Sequence, residues 1–297
     1  MSIATRQDWL TERASAIGAS EMAALFGEGF ETPMELYARK IGALPPIDET
    51  EAMEVGTLMQ STIATLLERR TSFHVVEAPQ TEFLRHPDYP FIGCTPDAYV
   101  FCEQRGRGIG EWKNVGHYNA AEWKEGLPLR VQVQTQGQMA VTGCEWGVAA
   151  ALLGGNKFVW RIVERDDKFI AVLIRQCKEF WRRVVERDPP PADGDERTKR
   201  ALFAMHPDDN GDTVALPAEV YESMADEIAS LDAAISLAET RKTELQNKIR
   251  AALGDATYGV LPDGSGWSWK TQDRAAYEVQ ASKSRVLRRT KATKGKK

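Results

Sequence analysis

The stretch Gly93–Val115, GCTPDAYVFCEQRGRGIGEWKNV, gathers residues whose types and spacing can do chemistry. Asp97 follows a proline at the head of a short apolar run, and Glu111 and Lys113 stand fourteen and sixteen residues later. Side chains two apart on a strand share a face, so Glu111 and Lys113 project together. A hairpin would set Asp97 beside them. Two carboxylates with the main-chain carbonyl of Trp112 make a set of hard oxygens suited to Mg²⁺. Such an ion polarises a phosphodiester and acidifies a bound water. Lys113 would orient that water or balance charge on the phosphate. The spacing alone is a weak sign, because acids and bases alternate on many solvated strands.

These residues need elements to hold them. Trp9–Arg13 and Ser20–Leu25 read as helical, and Ser20 or Thr32 could cap the helices that follow. Gly56–Arg70 reads as one helix with Leu58, Ile63, Leu66 and Leu67 inward. Glu82–Leu84, Ile92–Cys94, Ala98–Cys102 and Gly110–Lys113 read as short strands. Arg130–Val141 reads as a helix. Phe158–Val163 and Phe169–Ile174 read as a hairpin around Asp166–Asp167, and Gln176–Glu186 as helical. Helices, a strand meander, helix, hairpin and helix make a layered α/β domain rather than a βαβ series.

Residues 1–187 hold most of the hydrophobic patterning. The run RDPPPADGD ends that domain, since consecutive prolines cannot continue a helix, and 188–217 reads as a Pro/Asp-rich linker. Residues 218–254 carry a heptad pattern. Tyr221, Ile228, Ile235 and Ile249 fall in one series, and Met224, Leu231, Ala238, Leu245 and Ala252 in the other, interrupted by Lys242. A helix packed on its own protein and a coiled-coil contact both fit. Residues 255–297 read as a small hairpin turning at Asp263–Gly264, then a basic tail.

The chain has 297 residues, with 38 Lys and Arg against 43 Asp and Glu, a net charge of −5. Hydrophobic residues make up 42% and charged ones 27%, which excludes a mostly disordered chain. No apolar run reaches the length of a membrane span, and MSIATRQDWLTER lacks the core of a secretory signal. A cytoplasmic protein with no membrane partner is expected. Cys94, Cys102, Cys144 and Cys177 form no CxxC pair, so neither zinc nor an iron–sulfur cluster is expected. There is no GxxxxGK[ST], hence no implied ATP use. The acidic balance argues against broad phosphate binding. Yet Val279–Lys297 holds eight basic residues and no acids, which suits nucleic acid as well as a merely solubilising terminus.

TPD…GEWK resembles the PD-(D/E)xK nuclease motif. Trp9-x(3)-Arg13-x(3)-Ile17-Gly18-Ala19-Ser20-Glu21 resembles the opening of the phage lambda exonuclease / YqaJ viral recombinase family. Gly56 with its helix, QTQGQMAVTG at Gln134–Gly143 and VERDDKF at Val163–Phe169 follow in that family's order, over about residues 7–187. The resemblance implies a restriction-endonuclease-like core, a central mixed β-sheet flanked by helices. It implies a Mg²⁺-dependent exonuclease, with Mn²⁺ able to substitute, that resects linear duplex DNA 5′ to 3′ and leaves 3′ overhangs for strand annealing. Asp97 and Glu111 would be metal ligands with the Trp112 carbonyl, Lys113 the catalytic lysine and Gln134 the active-site glutamine. Arg13, Ser20 and Thr95 match positions that hold a 5′-terminal phosphate, and Gln136, further along the Gln134 segment, would join them in binding DNA. The implied partners are DNA ends, a single-strand annealing protein and copies of the chain itself in a trimeric ring. In one place the pattern departs: where the family commonly has a glutamate, this chain has Gln60. A neutral amide weakens the metal site unless Glu54 or Glu68 contributes. An endonuclease of the same superfamily, or a DNA-binding scaffold with a weakened site, are the rival readings.

Overall fold

The computed structural model describes residues 5–276, 278, 281 and 283–290. The chain divides into two compact units, Met1–Pro207 and Asp208–Lys297.

In the first unit, helix α1 (Arg6–Ala14) opens on a capping box in which Thr5 and Asp8 bond each other's backbone N–H. Strand β1 (Ile17–Gly18) leads into a 3₁₀ turn, Met22–Phe26. Helix α2 (Pro33–Lys40) starts on the Thr32–Glu35 capping box with proline in its first turn. Thr32 is therefore a cap, whereas Ser20 is not: the residue before the 3₁₀ turn is Glu21. Helices α3 (Glu51–Leu58) and α4 (Gln60–Arg70) replace the single helix expected over 56–70. The break at Met59 turns Leu58 outward, 69% exposed, while Ile63 and Leu67 are fully buried as expected.

Strands β2 (His74–Glu77), β3 (Leu84–Arg85), β4 (Ile92–Cys94), β5 (Ala98–Cys102) and β6 (Gly106–Val115) follow. Then come helix α5 (Leu129–Thr142), strands β7 (Trp146–Leu153) and β8 (Lys157–Glu164), and helices α6 (Asp167–Glu186) and α7 (Glu196–Met205). The central sheet runs β2-β5-β6-β7-β8, antiparallel except for the parallel pair β6–β7. A small sheet of order β1-β4-β3 lies beside it. The fold is thus mixed α/β with helices on both faces of the sheet.

Alternate residues of the central strands feed the two faces. Trp112, Val148, Ala150 and Leu152 pack under α4 through Ile63 and Leu67. Val115, Ala149, Ala151 and Leu153 pack under α5 through Val131. Three consecutive alanines, Ala149–Ala151, are fully buried, and small side chains let both helices approach the strand.

Two expectations are corrected here. Phe169–Ile174 is not the second arm of a hairpin: β8 pairs with β7 before it, and the segment is the first turns of α6. Asp166 caps that helix by accepting from Phe169 N–H at 3.0 Å, and its buried face, Ile170, Leu173, Cys177, Phe180 and Val184, has helical spacing. The stretch 188–217 is not all linker either. It contains α7, whose Ala201 is fully buried and whose Thr198 hydroxyl donates to that of Thr32 at 3.0 Å.

The second unit has helix α8 (Ala218–Leu253), thirty-six residues ending at Gly254, and a hairpin of β9 (Tyr258–Val260) and β10 (Gly266–Ser268). Gly264 takes a left-handed φ of 84° in the turn, a conformation open to glycine. Residues 279, 280, 282 and 291–297 of the expected basic tail lie outside the described residues. All four cysteines are free and buried. Among the described residues no helix is long and apolar enough to cross a membrane.

Candidate active site

Strands β5 and β6 pair with Ala98 opposite Gly110, which brings Asp97 next to Glu111 one step further on. Both acids lie on the α5 side of the sheet, because Ala98 and Trp112 point the other way into the α4 core. The Asp97 carboxylate is fixed at both oxygens. It accepts from Trp112 N–H at 2.7 Å and from the Gln60 amide, at the start of α4, at 2.7 Å. A strand residue sends its N–H and C=O to the same edge, so the Trp112 carbonyl faces the Asp97 side.

Glu111 is 1% exposed. One of its oxygens meets Lys113 Nζ at 2.5 Å, and the other accepts from the Gln138 amide at 2.7 Å. Lys113 Nζ also donates to Gln134 Oε1 at 3.0 Å. Gln134 and Gln138 are one helical turn apart on α5, which puts both over the sheet face that carries Glu111 and Lys113. Gln138 is fully buried, and its Oε1 has no hydrogen-bond partner among the described residues.

Burial, then the neighbouring Glu111, hold the Asp97 carboxyl well above the usual carboxylate range, against the pull of Lys113 and the Trp112 N–H. Burial alone would lower the Lys113 ammonium. The two carboxylates outweigh it and raise its pKa, so Lys113 is a charged donor rather than a base. Two close, buried acids with one lysine form a site short of positive charge. Oxygen donors in that state fit a hard divalent cation. Among the described residues no group of three or more His, Cys, Asp or Glu comes together to hold a metal, so the set rests on two carboxylates and a carbonyl.

A cleft of about 410 Å³ runs from these residues past Trp9, Arg13, Ser20, Gln60 and Thr95. Arg13 stacks over Trp9, 4.8 Å from its ring centroid, and reaches Ser20 Oγ at 3.3 Å and Glu21 at 3.4 Å. Trp9 Nε1 donates to Thr95 Oγ1 at 2.9 Å, and the Thr95 hydroxyl donates on to the Glu82 carbonyl at 2.9 Å. Thr95 therefore spends its proton inside the protein, while Arg13 and Ser20 face the cleft. Behind Arg13, Glu21 is held by Lys40 Nζ at 2.8 Å and by Gly18 N–H at 2.8 Å. Lys40, almost wholly buried, also donates to the Arg13 carbonyl at 2.9 Å.

Of the residues expected to act together, Asp97, Glu111, Lys113, Gln134 and Gln60 converge, with Arg13, Ser20 and Thr95 along the same cleft. Gln136 does not join them. Its amide donates to the Glu164 carbonyl at 2.7 Å and accepts from Asp166 N–H at 3.0 Å, tying α5 to the β8–α6 turn. Glu68 is also elsewhere, bonded to Val75 N–H at 2.8 Å and His74 at 3.1 Å. Gln138 and Lys40 are supporting residues that the sequence reading missed. The four-residue step from Gln134 to Gln138 on a helix was the one available sign of the first. An isolated lysine at the end of an amphipathic helix gave no sign of the second.

A family model of the YqaJ-like viral recombinase domain matches residues 8–145, a span that contains every residue of this cleft named above. The chain is also 32% identical over 264 residues to the uncharacterized protein YqaJ of Bacillus subtilis (strain 168), covering 86% of this chain and 81% of that one. The chain belongs to the YqaJ-like viral recombinase family. Among solved structures it resembles the alkaline exonuclease LHK-Exo from Laribacter hongkongensis, with a TM-score of 0.52 at 20% identity, over 67% of this chain and all of that one. The structure of LHK-Exo in complex with dAMP gives the same TM-score at 21% identity. At such identity these two likenesses establish the fold of this YqaJ-family chain, an alkaline-exonuclease fold.

Proposed function

We propose that this YqaJ-family protein is a metal-dependent DNA exonuclease that resects linear duplex DNA. The observation that carries the reading is the convergence of Asp97, Glu111, Lys113 and Gln134 at one end of the β5–β6 hairpin. Asp97, Glu111 and the Trp112 carbonyl would hold Mg²⁺, with Mn²⁺ able to replace it. When bound, the ion supplies Lewis-acid polarisation of the scissile phosphate and acidifies the attacking water. Lys113, kept charged by the two acids, donates to that water or to the phosphate oxygens, and Gln134 fixes its ammonium in place. Gln60 holds Asp97 and Gln138 holds Glu111, so the oxygens are set before substrate arrives. Arg13 and Ser20, at the far end of the cleft, offer a guanidinium and a hydroxyl to a terminal 5′-phosphate. That placement supports digestion from 5′ ends, which leaves 3′ single strands for an annealing partner. A ring of three copies would keep such an enzyme on its track without ATP.

The test is digestion of end-labelled linear duplex with Mg²⁺, beside a covalently closed circle. Degradation of the linear DNA alone is expected, faster with a 5′-phosphate than a 5′-hydroxyl. Cutting of the circle would make the protein an endonuclease. Unchanged digestion by Glu111→Gln would overturn the site itself.

A further inference from the structure

Helix α8 belongs to the second unit, and it is unusual in two ways. None of its thirty-six residues is buried, although it carries the apolar heptad stripe. Ile228, Leu231 and Ile235 are each more than half exposed. The charge is also polarised along the axis. Residues 218–240 contain six acids and no lysine or arginine, whereas 241–253 contain four basic residues and one acid. The acidic half already draws a cation within the chain: Arg289 lies 3.6 Å from Asp226.

We propose that α8 is a self-association element that pairs antiparallel with α8 of a second copy of this chain. Antiparallel pairing lays each acidic half on a basic half. Set so that Tyr221 meets Ala252, it also places Ile228 on Leu245 and Ile235 on Ala238. Each small residue of the stripe is then filled by a large one, as a tight seam requires. Lys242, the one charged residue in the stripe, faces Leu231 and lies one residue from the partner's Asp232. On the flank Glu227 faces Lys248. Asp232 and Glu239 form the one like-charged flank pair, and Lys242 sits next to it. Parallel pairing fails on each count. Lys242 would face its own copy inside the seam, Ala238 and Ala252 would leave gaps, and the six acids would stand against six more. The occupant that complements this surface is its own reversed copy.

The pairing is read by cysteine cross-linking of the full chain. The native thiols are poor competitors, since all four are buried and burial pushes the Cys177 thiol up to about 12. In the expected result the double variant Ile228→Cys, Leu245→Cys oxidises to a covalent dimer, and neither single variant does. Efficient cross-linking of Ile228→Cys alone would mean parallel strands and overturn the proposal. A second measurement covers failed oxidation. Light-scattering mass of the full chain should fall about two-fold in Ile228→Asp, Ile235→Asp, with nuclease activity on short duplexes retained. An unchanged mass would mean that the stripe packs within its own chain or on a different protein, and would equally overturn the proposal.

Discussion

Each acidic oxygen of the candidate site has an internal donor, and this predicts how single changes behave. Lys113→Ala should lower cleavage at least about 100-fold, the scale for losing one preorganised donor, while circular dichroism stays native. Gln60→Glu sets a third acid against Asp97, where the amide now donates at 2.7 Å. In chelator its melting temperature should drop by roughly 2–4 °C, about 1 kcal/mol, and Mg²⁺ should restore it; no recovery would count against a cation held here. Behind the cleft, Glu21 stands in a buried ion pair. Burial works to raise its pKa, but Lys40 and Arg13 outweigh burial and hold it below its ordinary 4.5. A carboxyl lowered on folding stabilises the protein fully above about pH 4.5 and loses that contribution as the pH falls through its folded value. Glu21→Gln should therefore cost about 3 kcal/mol near neutrality, by stranding buried Lys40. Thermal unfolding should show the gap to wild type closing in acid. A gap that stayed constant with pH would mean that the pair is not what stabilises this corner.

At the scale of elements, the site depends on how α5 divides its glutamines. Gln134 and Gln138 serve the sheet face, Gln136 clamps the β8–α6 turn, and Gln132 donates to the Leu127 carbonyl at 2.6 Å. Gln136→Leu should cost about 1–3 kcal/mol in chemical denaturation, leaving the Asp166 N–H unsatisfied, with cleavage per folded molecule unchanged. A specific loss of cleavage would instead return Gln136 to the site. This division was half legible in the sequence, since four alternating polar residues cannot all face one way on a helix. The missed strand has a plain cause. Trp146–Leu153 is apolar throughout and rich in alanine, so it shows no alternation, because both of its faces are covered. Without β7 as a partner, the β8 pattern pairs in sequence with the segment after it. The β5–β6 hairpin was readable because the polar residues Glu103–Arg105 and Gly106 break the chain directly after the apolar run Ala98–Cys102.

At the scale of the molecule, the net charge of −5 averages an acidic body and a basic end. Removing 279–297 takes away eight positive charges and no negative ones. DNA binding by that truncation should weaken several-fold at low salt, with a shallower salt dependence, as measured by fluorescence anisotropy on duplex. Equal slopes would make the tail a solubilising terminus. The sequence by itself determined the residue types and their order: the carboxylates, lysine and glutamines of the candidate site, the heptad stripe, and membership of the YqaJ-like family. These are local or collinear properties, carried by spacing within one element. Tertiary structure alone decided which groups meet. Gln60 reaches Asp97 and Gln138 reaches Glu111 from helices that come before and after the hairpin. Lys40 is buried on Glu21, and Gln136 turns away from the cleft. Such choices depend on how helices lie across a sheet, and the contacts that fix them join residues far apart in the chain.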